Sequence, residues 1–238
     1  MLLDGRLALV TGGSRGIGFE IAKIFVEQGA SVIVASRAPA KLDWAAGELP
    51  SVDTTQADVV APADLDRLVA RVGERRGKLD ILVNNAGHWT GDKPDLTTPG
   101  DDEFTSTIQT NLFGAYFTTK RFLPLLEKSD APRIINVGST SGLLSPNLRS
   151  TYGVSKLALH GLSIATANEL AGRVALNVLS PGWVRTDMAP DAPNEPRMSA
   201  EAALEIVTQD WAITGKLFHA TPSDSGAPAT AVEREFVR

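Results

Sequence analysis

Short aliphatic runs alternate along the sequence with longer amphipathic stretches. The runs predict β-strands and the stretches predict helices, and this alternation is typical of a parallel sheet with helices on both faces. The 238 residues contain no internal repeat and no linker long enough to separate two domains. We therefore expect one α/β domain spanning residues 1–238, with a doubly wound sheet of about seven mostly parallel strands.

The element boundaries follow from hydrophobic periodicity and from residues that start or stop helices. Ile17 and Ile21 lie at helical spacing in the first predicted helix, which Gly29 is expected to end. The segment 87–100 is predicted to be a loop, and the tail 221–238 to be loose or packed on a partner. Predicted strands cover 7–10, 31–35, 54–59, 79–83, 133–137, 174–179 and 216–218, and predicted helices cover 16–28, 39–48, 63–72, 102–119, 151–171 and 199–208.

The composition excludes several classes of function. The chain has no cysteine, which excludes disulfides and thiolate catalysis, and its three histidines are too scattered to predict a metal site. A net charge of −5 argues against nucleic-acid binding, because such proteins usually carry a basic face. With no long apolar segment and no signal-like N-terminus, we expect a cytoplasmic protein that does not associate with membranes.

A glycine-rich segment lies between the first predicted strand and the first predicted helix. Glycines let the backbone turn sharply and approach a pyrophosphate closely, and the helix N-terminus offers N–H groups and a positive dipole end. An ordinary tight turn is the alternative, but the position between strand and helix favours a dinucleotide site in a Rossmann-type fold. The segment is Thr11-Gly12-Gly13-Ser14-Arg15-Gly16-Ile17-Gly18.

The spacing Gly-x-x-x-Gly-x-Gly after a threonine resembles that of the short-chain dehydrogenase/reductase family, and the resemblance covers roughly residues 5–190. It implies an oxidoreductase that transfers a hydride between a nicotinamide and a carbonyl or alcohol carbon. It also implies a homo-oligomer, either a dimer or a tetramer. The loop residues implied to bind the cofactor are Gly12, Ser14, Arg15, Gly16, Ile17 and Gly18.

The end of the second predicted strand indicates which nicotinamide cofactor is used. An NAD enzyme needs an acidic side chain there to bind the ribose 2′-hydroxyl, whereas this chain has Ser36 and Arg37. Arg37 and Arg15 offer guanidinium groups that suit a 2′-phosphate, as in the NADP-preferring members of the family. Either arginine alone could equally be a solvated surface charge, but the two together, with no acid beside them, favour NADP(H).

Two further family motifs follow the third and fourth predicted strands. The resemblance implies that Asp58 and Val59 contact the adenine, although on local grounds Asp58 equally suits a turn or a helix cap. An Asn-Asn-Ala-Gly segment after the fourth strand matches the family motif in full, which is more specific than a turn that merely favours such residues. Its residues implied to lie against the adenine ribose are Asn85, Ala86 and Gly87.

Tyr152 and Lys156 form the expected acid/base pair. Four residues apart on a predicted helix, they share one face, and an ammonium beside a phenol lowers the tyrosine pKa from its usual value of about 10. Tyr152 can then donate a proton to a carbonyl oxygen, or accept one from an alcohol, near neutral pH. Such a pair often arises by chance, but the resemblance adds that both residues belong to the cofactor site and that Lys156 reaches the nicotinamide ribose.

Two polar residues complete the expected catalytic set. Ser139 ends the fifth predicted strand 13 residues before Tyr152, as in the family, and its hydroxyl would hold the substrate oxygen. Ser141 is the alternative for that role. Asn111 lies in the long predicted helix, where asparagine is a poor helix former. The resemblance implies that Asn111 kinks this helix and holds a water that relays protons to Lys156, and a buried, backbone-bonded asparagine is the alternative.

The loop after the sixth predicted strand resembles the family segment Pro-Gly-x-Val-x-Thr, which is implied to orient the nicotinamide carboxamide. Beyond this loop the resemblance weakens, because the Asp-Gly-Gly that many members carry after the last strand is absent, as in carbonyl-reductase-type members. The following segment, 187–198, is short and proline-rich, which predicts an open substrate pocket. The cofactor-binding residues implied in this loop are Pro181, Gly182, Val184 and Thr186.

We predict that the enzyme reduces a ketone or aldehyde, and the candidate pocket residues favour an apolar one. Alternatives in the same family are a 3-oxoacyl thioester reductase and a sugar or steroid dehydrogenase. An extended-family epimerase is disfavoured because its Thr-Gly-x-x-Gly-x-x-Gly loop is absent, and a non-catalytic NADP sensor because the catalytic set is complete. Mostly apolar residues that suit the substrate pocket, and equally a core or a subunit interface, are His88, Trp89, Leu144, Leu148, Trp183 and Met188.

Overall fold

The computed structural model describes residues 1–89, 100–140, 150–221 and 230–234. A π-helical turn, Gln109–Phe113, joins the fourth and fifth helices. The strands are β1 (Leu7–Thr11), β2 (Ser31–Ser36), β3 (Asp53–Gln56), β4 (Ile81–Asn84), β5 (Arg133–Val137), β6 (Ala175–Ser180), β7 (Leu217–Thr221) and β8 (Thr230–Arg234). The α-helices are α1 (Gly16–Glu27), α2 (Pro39–Glu48), α3 (Pro62–Arg76), α4 (Asp101–Ile108), α5 (Gly114–Leu126), α6 (Ser150–Glu169) and α7 (Pro196–Thr208).

The eight strands of the described residues form one sheet in the order β3-β2-β1-β4-β5-β6-β7-β8. Strands β1 to β7 are parallel, and β8 runs antiparallel to β7. The chain winds outwards in opposite directions from β1 and β4, and doubly wound folds bind ligands at this switch point. The predicted doubly wound α/β fold is confirmed.

Alternate residues of the central strands pack on opposite faces of the sheet. In β1, Ala8 and Val10 belong to the apolar core under α1 and α7, whereas Leu7 and Leu9 belong to the core under α3, α5 and α6. All four are fully buried. The strands are therefore continuously apolar, because helices cover both faces. Helix residues of the two cores include Phe25, Ala203 and Ile206 on one face, and Leu68, Phe122 and Ala167 on the other.

Two elements differ from the predictions in ways that affect the site. The third strand ends at Gln56, before the predicted end at residue 59, because the next residues form a turn. In this turn the Val60 N–H donates to Asp58 Oδ1 at 3.1 Å, and the Asp58 N–H donates to Asp64 Oδ2 at 2.9 Å. The helix predicted over 102–119 is interrupted by the π-turn, which contains Asn111.

Within the tail predicted to be loose or packed on a partner, Thr230–Arg234 forms a strand that pairs along the whole of β7. This pairing satisfies backbone groups of β7 that would otherwise form an open sheet edge. Residues 222–229 and 235–238 lie outside the described residues. The remaining predicted strands and helices agree with the structure apart from a few residues at their ends. Most of the loop predicted at 87–100 lies outside the described residues. None of the described helices is both long and apolar enough to cross a bilayer.

Candidate active site

One cleft runs along the carboxyl ends of β1, β2, β4, β5 and β6. The loops that follow parallel strands meet at this edge of a sheet, so residues far apart in sequence line the same cleft. Most of the predicted site residues lie on its surface. They are Gly12, Ser14, Arg15, Gly16, Ile17, Gly18, Arg37, Val59, Asn85, Ala86, Gly87, Tyr152, Lys156, Pro181 and Thr186.

The other five predicted site residues do not line the cleft. Val184 is buried in the apolar core beneath the loop after β6, and Gly182 provides a positive φ of 79° in that loop. Asp58 forms the turn described above, which is its local alternative, and its carboxylate lies 3.8 Å from Arg37 Nη1. Asn111 is buried behind the cleft wall, and Ser139 is half-buried just after β5.

The glycine-rich loop and the loop after β4 pack against each other with no space for side chains. A Cβ atom on Gly12 would lie 2.8 Å from Ala86 Cα, and one on Gly18 would lie 2.3 Å from Asn85 Nδ2. Asn85 Nδ2 donates hydrogen bonds of 3.0 Å to both the Thr11 and the Gly12 carbonyl oxygens. Asn85 therefore holds the glycine-rich loop in shape, in addition to lining the cleft.

The N-terminus of α1 opens into the same cleft. Arg15 is its N-cap residue, no side chain caps the helix, and no acidic residue lies in the first turn. The first N–H groups and the positive dipole end are thus available to an anion. Ser14 Oγ donates to Ser36 Oγ at 2.9 Å, which joins the glycine-rich loop to the end of β2.

Both arginines predicted to bind a 2′-phosphate form ion pairs. Arg37 lies beside Asp58, and Arg15 pairs with Asp187 in the loop after β6. Lys41 Nζ also contacts Asp187 Oδ2, at 3.3 Å. The sequence shows no acid near either arginine, because only the fold brings the loop after β6 to the N-terminus of α1. Asp187, which lines the cleft, is thus a site residue that the sequence did not predict.

Lys156 is buried at the other end of the cleft. Its Nζ atom donates to the Val137 carbonyl oxygen at 2.7 Å and lies 5.6 Å from the centre of the Tyr152 ring. Burial lowers the pKa of Lys156 to about 8, so that the ammonium form still dominates at neutral pH. The helix therefore brings a cation and a phenol to one side of the cleft, as their spacing of four residues predicts.

Asn111 connects α6, which carries this pair, to the segment after β4. Its Oδ1 accepts from the His88 N–H at 2.6 Å, and its Nδ2 donates to His88 O and to Ser155 Oγ, both at 2.9 Å. Ser155 Oγ in turn donates to the Tyr152 carbonyl oxygen at 2.7 Å. These contacts correspond to the backbone-bonded alternative for Asn111, and the water relay to Lys156 stays a prediction.

Ser139 is held by a histidine that the sequence did not single out. The Ser139 N–H donates to Nε2 of His160, which is buried on α6. Burial, and to a lesser extent the nearby Lys156 cation, lowers the pKa of His160 to about 4, so the ring is neutral at pH 7. Gly138 makes this contact possible, because a Cβ atom there would lie 2.4 Å from His160 Nε2.

The predicted substrate pocket is described in part. Trp89 lies beside the acid/base pair, with its ring centre 6.2 Å from that of Tyr152, and Met188 lines the cleft. Trp183 is 58% exposed on the loop after β6, so it is not a core residue. Three other predicted residues, Ser141, Leu144 and Leu148, lie outside the described residues.

The family model for short chain dehydrogenase matches residues 6–197. The chain belongs to the short-chain dehydrogenase family. An oxidoreductase of Sarocladium schorii is 39% identical over 198 residues, which cover 82% of this chain and 79% of that protein. A 3-oxoacyl-acyl-carrier-protein reductase of rhamnolipid biosynthesis from Pseudomonas aeruginosa is 36% identical over 219 residues, or 88% of this chain and 84% of that one.

Solved structures of short-chain dehydrogenases share the fold. A short-chain dehydrogenase of Shigella flexneri, solved in complex with NADP, superposes with a TM-score of 0.85 at 28% identity over 92% of this chain and 98% of its own. The Pseudomonas aeruginosa RhlG protein, solved as an NADP complex, gives a TM-score of 0.84 at 32% identity over 91% and 95%. The resemblance predicted from the sequence motifs is thus confirmed, and the chain is an oxidoreductase of this family.

Proposed function

We propose that this short-chain dehydrogenase uses NADP(H) to transfer a hydride between the nicotinamide and a carbonyl or alcohol carbon, and that it reduces a ketone or aldehyde. The observation that carries the proposal is the Tyr152–Lys156 pair at one end of a cleft whose other end is basic. We treat residues 1–238 as one catalytic domain, which the single sheet supports.

The cleft fits a phosphorylated dinucleotide. Gly12 and Gly18 let the glycine-rich loop pack tightly against Asn85 and Ala86. The uncapped N-terminus of α1 suits a pyrophosphate. Arg15 and Arg37 suit a 2′-phosphate. Thr186 lines the same cleft next to Gly16. Two structural neighbours of this chain were solved with NADP. When bound, the dinucleotide would supply or accept the hydride.

The residues of this chain would manage the proton that accompanies the hydride. In the reductive direction, Tyr152 donates its phenolic proton to the carbonyl oxygen of the substrate as that oxygen gains negative charge. The buried Lys156 ammonium stabilises the phenolate that remains, since a charge in a desolvated site acts more strongly than one in water. The Ser139 hydroxyl donates to the same substrate oxygen and stabilises its developing charge.

The test is the variant Tyr152→Phe, with Tyr116→Phe as a matched control at the only other tyrosine of the chain. Tyr152→Phe should lower turnover by at least about a thousandfold, because the proton donor is lost. Its NADPH affinity, measured by fluorescence titration, should stay near that of the unmodified enzyme. Tyr116, which is 43% exposed on α5, should tolerate the change. Turnover retained by Tyr152→Phe would contradict the assignment.

A second candidate is reduction of a 3-oxoacyl thioester. It is supported by relatives that carry this name, including the reductase from Pseudomonas aeruginosa and one from Vibrio harveyi that is 37% identical over 192 residues. NADPH oxidation with a panel of ketones, aldehydes and 3-oxoacyl thioesters distinguishes the candidates. A clear preference for thioesters would favour the second.

We also propose that the enzyme is a homo-oligomer, a dimer or a tetramer, in the cytoplasm. The apolar residues Val154, Leu157 and Ile164 are exposed on α6, and Phe113 and Tyr116 are exposed at and just after the π-turn. Exposed apolar residues grouped on adjoining helices are suited to form an interface with a second copy of the chain.

A further inference from the structure

We propose that Asp187 competes with the 2′-phosphate of NADP(H) for Arg15 and Lys41, and so sets the discrimination between NADP(H) and NAD(H). The inference rests on the proposed function, because it takes the basic end of the cleft to be the 2′-phosphate site. The sequence motifs explain the choice of cofactor by basic residues alone. The proposal adds one acidic residue, Asp187, that also determines this choice.

The ion pairs at this end of the cleft are the first observation. One carboxylate oxygen of Asp187 contacts both Arg15 Nη1 and Lys41 Nζ, the latter at 3.3 Å. The three residues come from separate segments, namely the loop after β6, the N-terminus of α1 and the first turn of α2. Arg15 and Asp187 both line the cleft, so the pair lies where an anionic ligand would enter.

The loop that carries Asp187 is the second observation, because it presents the carboxylate in a defined place. The N–H of Ala189 donates to Thr186 O at 2.9 Å, and that of Thr186 donates to Ala189 O at 3.3 Å, so Asp187 lies within a tight turn. This turn packs on the glycine-rich loop, where a Cβ atom on Gly16 would lie 3.1 Å from Thr186 Cγ2. The acid is therefore held over the anion site by the backbone around it.

The charge of Asp187 then affects the binding of NADP(H) and NAD(H) differently. The hydrogen bond with Arg15, and next that with Lys41, lowers the pKa of Asp187, so it is ionised at neutral pH. A 2′-phosphate adds a charge of about −2 near an anion that already holds the same two cations. Binding must then weaken the ion pairs of Asp187 or leave two anions close together. NAD(H) has no such phosphate, so the ion pairs persist when it binds.

The alternative is that Asp187 only braces the loop after β6. In that case its removal would change the affinity for both cofactors in the same direction, since both need the loop. The variant Asp187→Asn separates the two ideas because it removes the charge and nearly preserves the shape. Asp191→Asn is a matched control, since Asp191 is exposed in the same loop and has no ion pair with any described residue.

The experiment measures binding of 2′,5′-ADP and 5′-AMP by calorimetry, and of NADPH and NADH by fluorescence. The dissociation constants of Asp187→Asn for 2′,5′-ADP and NADPH should fall by about three- to tenfold, which is the size expected when two exposed ion pairs no longer compete. The constants for 5′-AMP and NADH should stay nearly unchanged. The gain should shrink at high salt, because exposed charges are screened.

Each other outcome has a distinct meaning. If the unmodified enzyme binds 2′,5′-ADP but Asp187→Asn binds it no more tightly, the competition is wrong and the NADP(H) site stands. Equal changes for the ligands with and without a 2′-phosphate, or the same gain in Asp191→Asn, would also overturn the proposal. If neither the unmodified enzyme nor the variant binds 2′,5′-ADP more tightly than 5′-AMP, both the competition and the NADP(H) assignment fail.

Discussion

The two ends of the cleft are built on different physical principles. At the reacting end, Lys156, Asn111 and His160 are almost completely buried and are held by hydrogen bonds to backbone and neutral side chains. At the basic end, Arg37 and Asp187 keep 59% and 65% of their side chains exposed, and these side chains form ion pairs. The functional side chains are thus held by buried hydrogen bonds at one end and by solvent-exposed ion pairs at the other.

This difference determines how strongly each end should respond to substitution. Leaving a buried donor or acceptor without its partner costs about 1–3 kcal/mol for each group. An exposed ion pair contributes about 0–1 kcal/mol and weakens in salt. We therefore expect large, all-or-none effects at the reacting end, and small, graded, salt-dependent effects on cofactor affinity at the basic end.

Among the substitutions that test this contrast between the two ends of the cleft, we expect the largest effect at Asn111. Asn111→Ala removes three hydrogen bonds and leaves the backbone groups of His88 without their side-chain partner. We expect turnover to fall by about 10²- to 10³-fold, because the segment after β4 loses its attachment to α6, the helix that carries Tyr152. We expect the free energy of unfolding to fall by about 2–4 kcal/mol. Steady-state kinetics and urea unfolding measure the two effects.

The control for this prediction is Asn168→Ala, since Asn168 is exposed near the end of α6, the helix to which Asn111 is hydrogen-bonded through Ser155. It should leave turnover and stability close to those of the unmodified enzyme. If Asn111→Ala behaved like this control, the reacting end would not depend on buried geometry, and the contrast between the two ends would be wrong.

A pH-dependent loss of stability is the next effect in size. The pKa of His160 is lowered from 6.5 to about 4, so the unfolded chain binds a proton between these values and the folded chain does not. The contribution of His160 to the free energy of unfolding is fully present above pH 6.5 and is lost as the pH falls towards 4. Between pH 7 and pH 5 the free energy of unfolding should therefore drop by about 2 kcal/mol more than in His160→Asn. Urea unfolding at both pH values checks this difference, and equal drops would contradict it.

Sequence motifs predicted most of the fold and the outline of the site, because both depend on local patterns. The periodicity of the strands and helices predicted the doubly wound sheet. The glycine spacing predicted the position of the loop that packs against Asn85 and Ala86. The spacing of Tyr152 and Lys156 placed them on one helical face. Their roles in catalysis are the proposals that the variants above test.

The residues that the sequence did not predict act through contacts distant along the chain. His160 meets Ser139 only because α6 packs behind β5, and Asp187 meets Arg15 only because the loop after β6 folds over the N-terminus of α1. Neither residue belongs to a local motif with a distinctive spacing. The π-turn at Asn111 was expected as a kink from the resemblance, but its hydrogen bonds to His88 depend on the loop after β4.

The smallest effect is expected at Arg37, and it tests whether the basic end is adjustable. Arg37→Ala removes a cation from the cleft and leaves Asp58 without this partner, so the site becomes more negative. The dissociation constant for NADPH should rise by about three- to tenfold, and that for NADH should change little, because only NADPH carries the 2′-phosphate. Arg67→Ala, at an exposed arginine paired with Asp64 outside the cleft, is the control. A loss of several hundredfold for both cofactors would mean that Arg37 supports the fold of the cleft, and that this end is as rigid as the other.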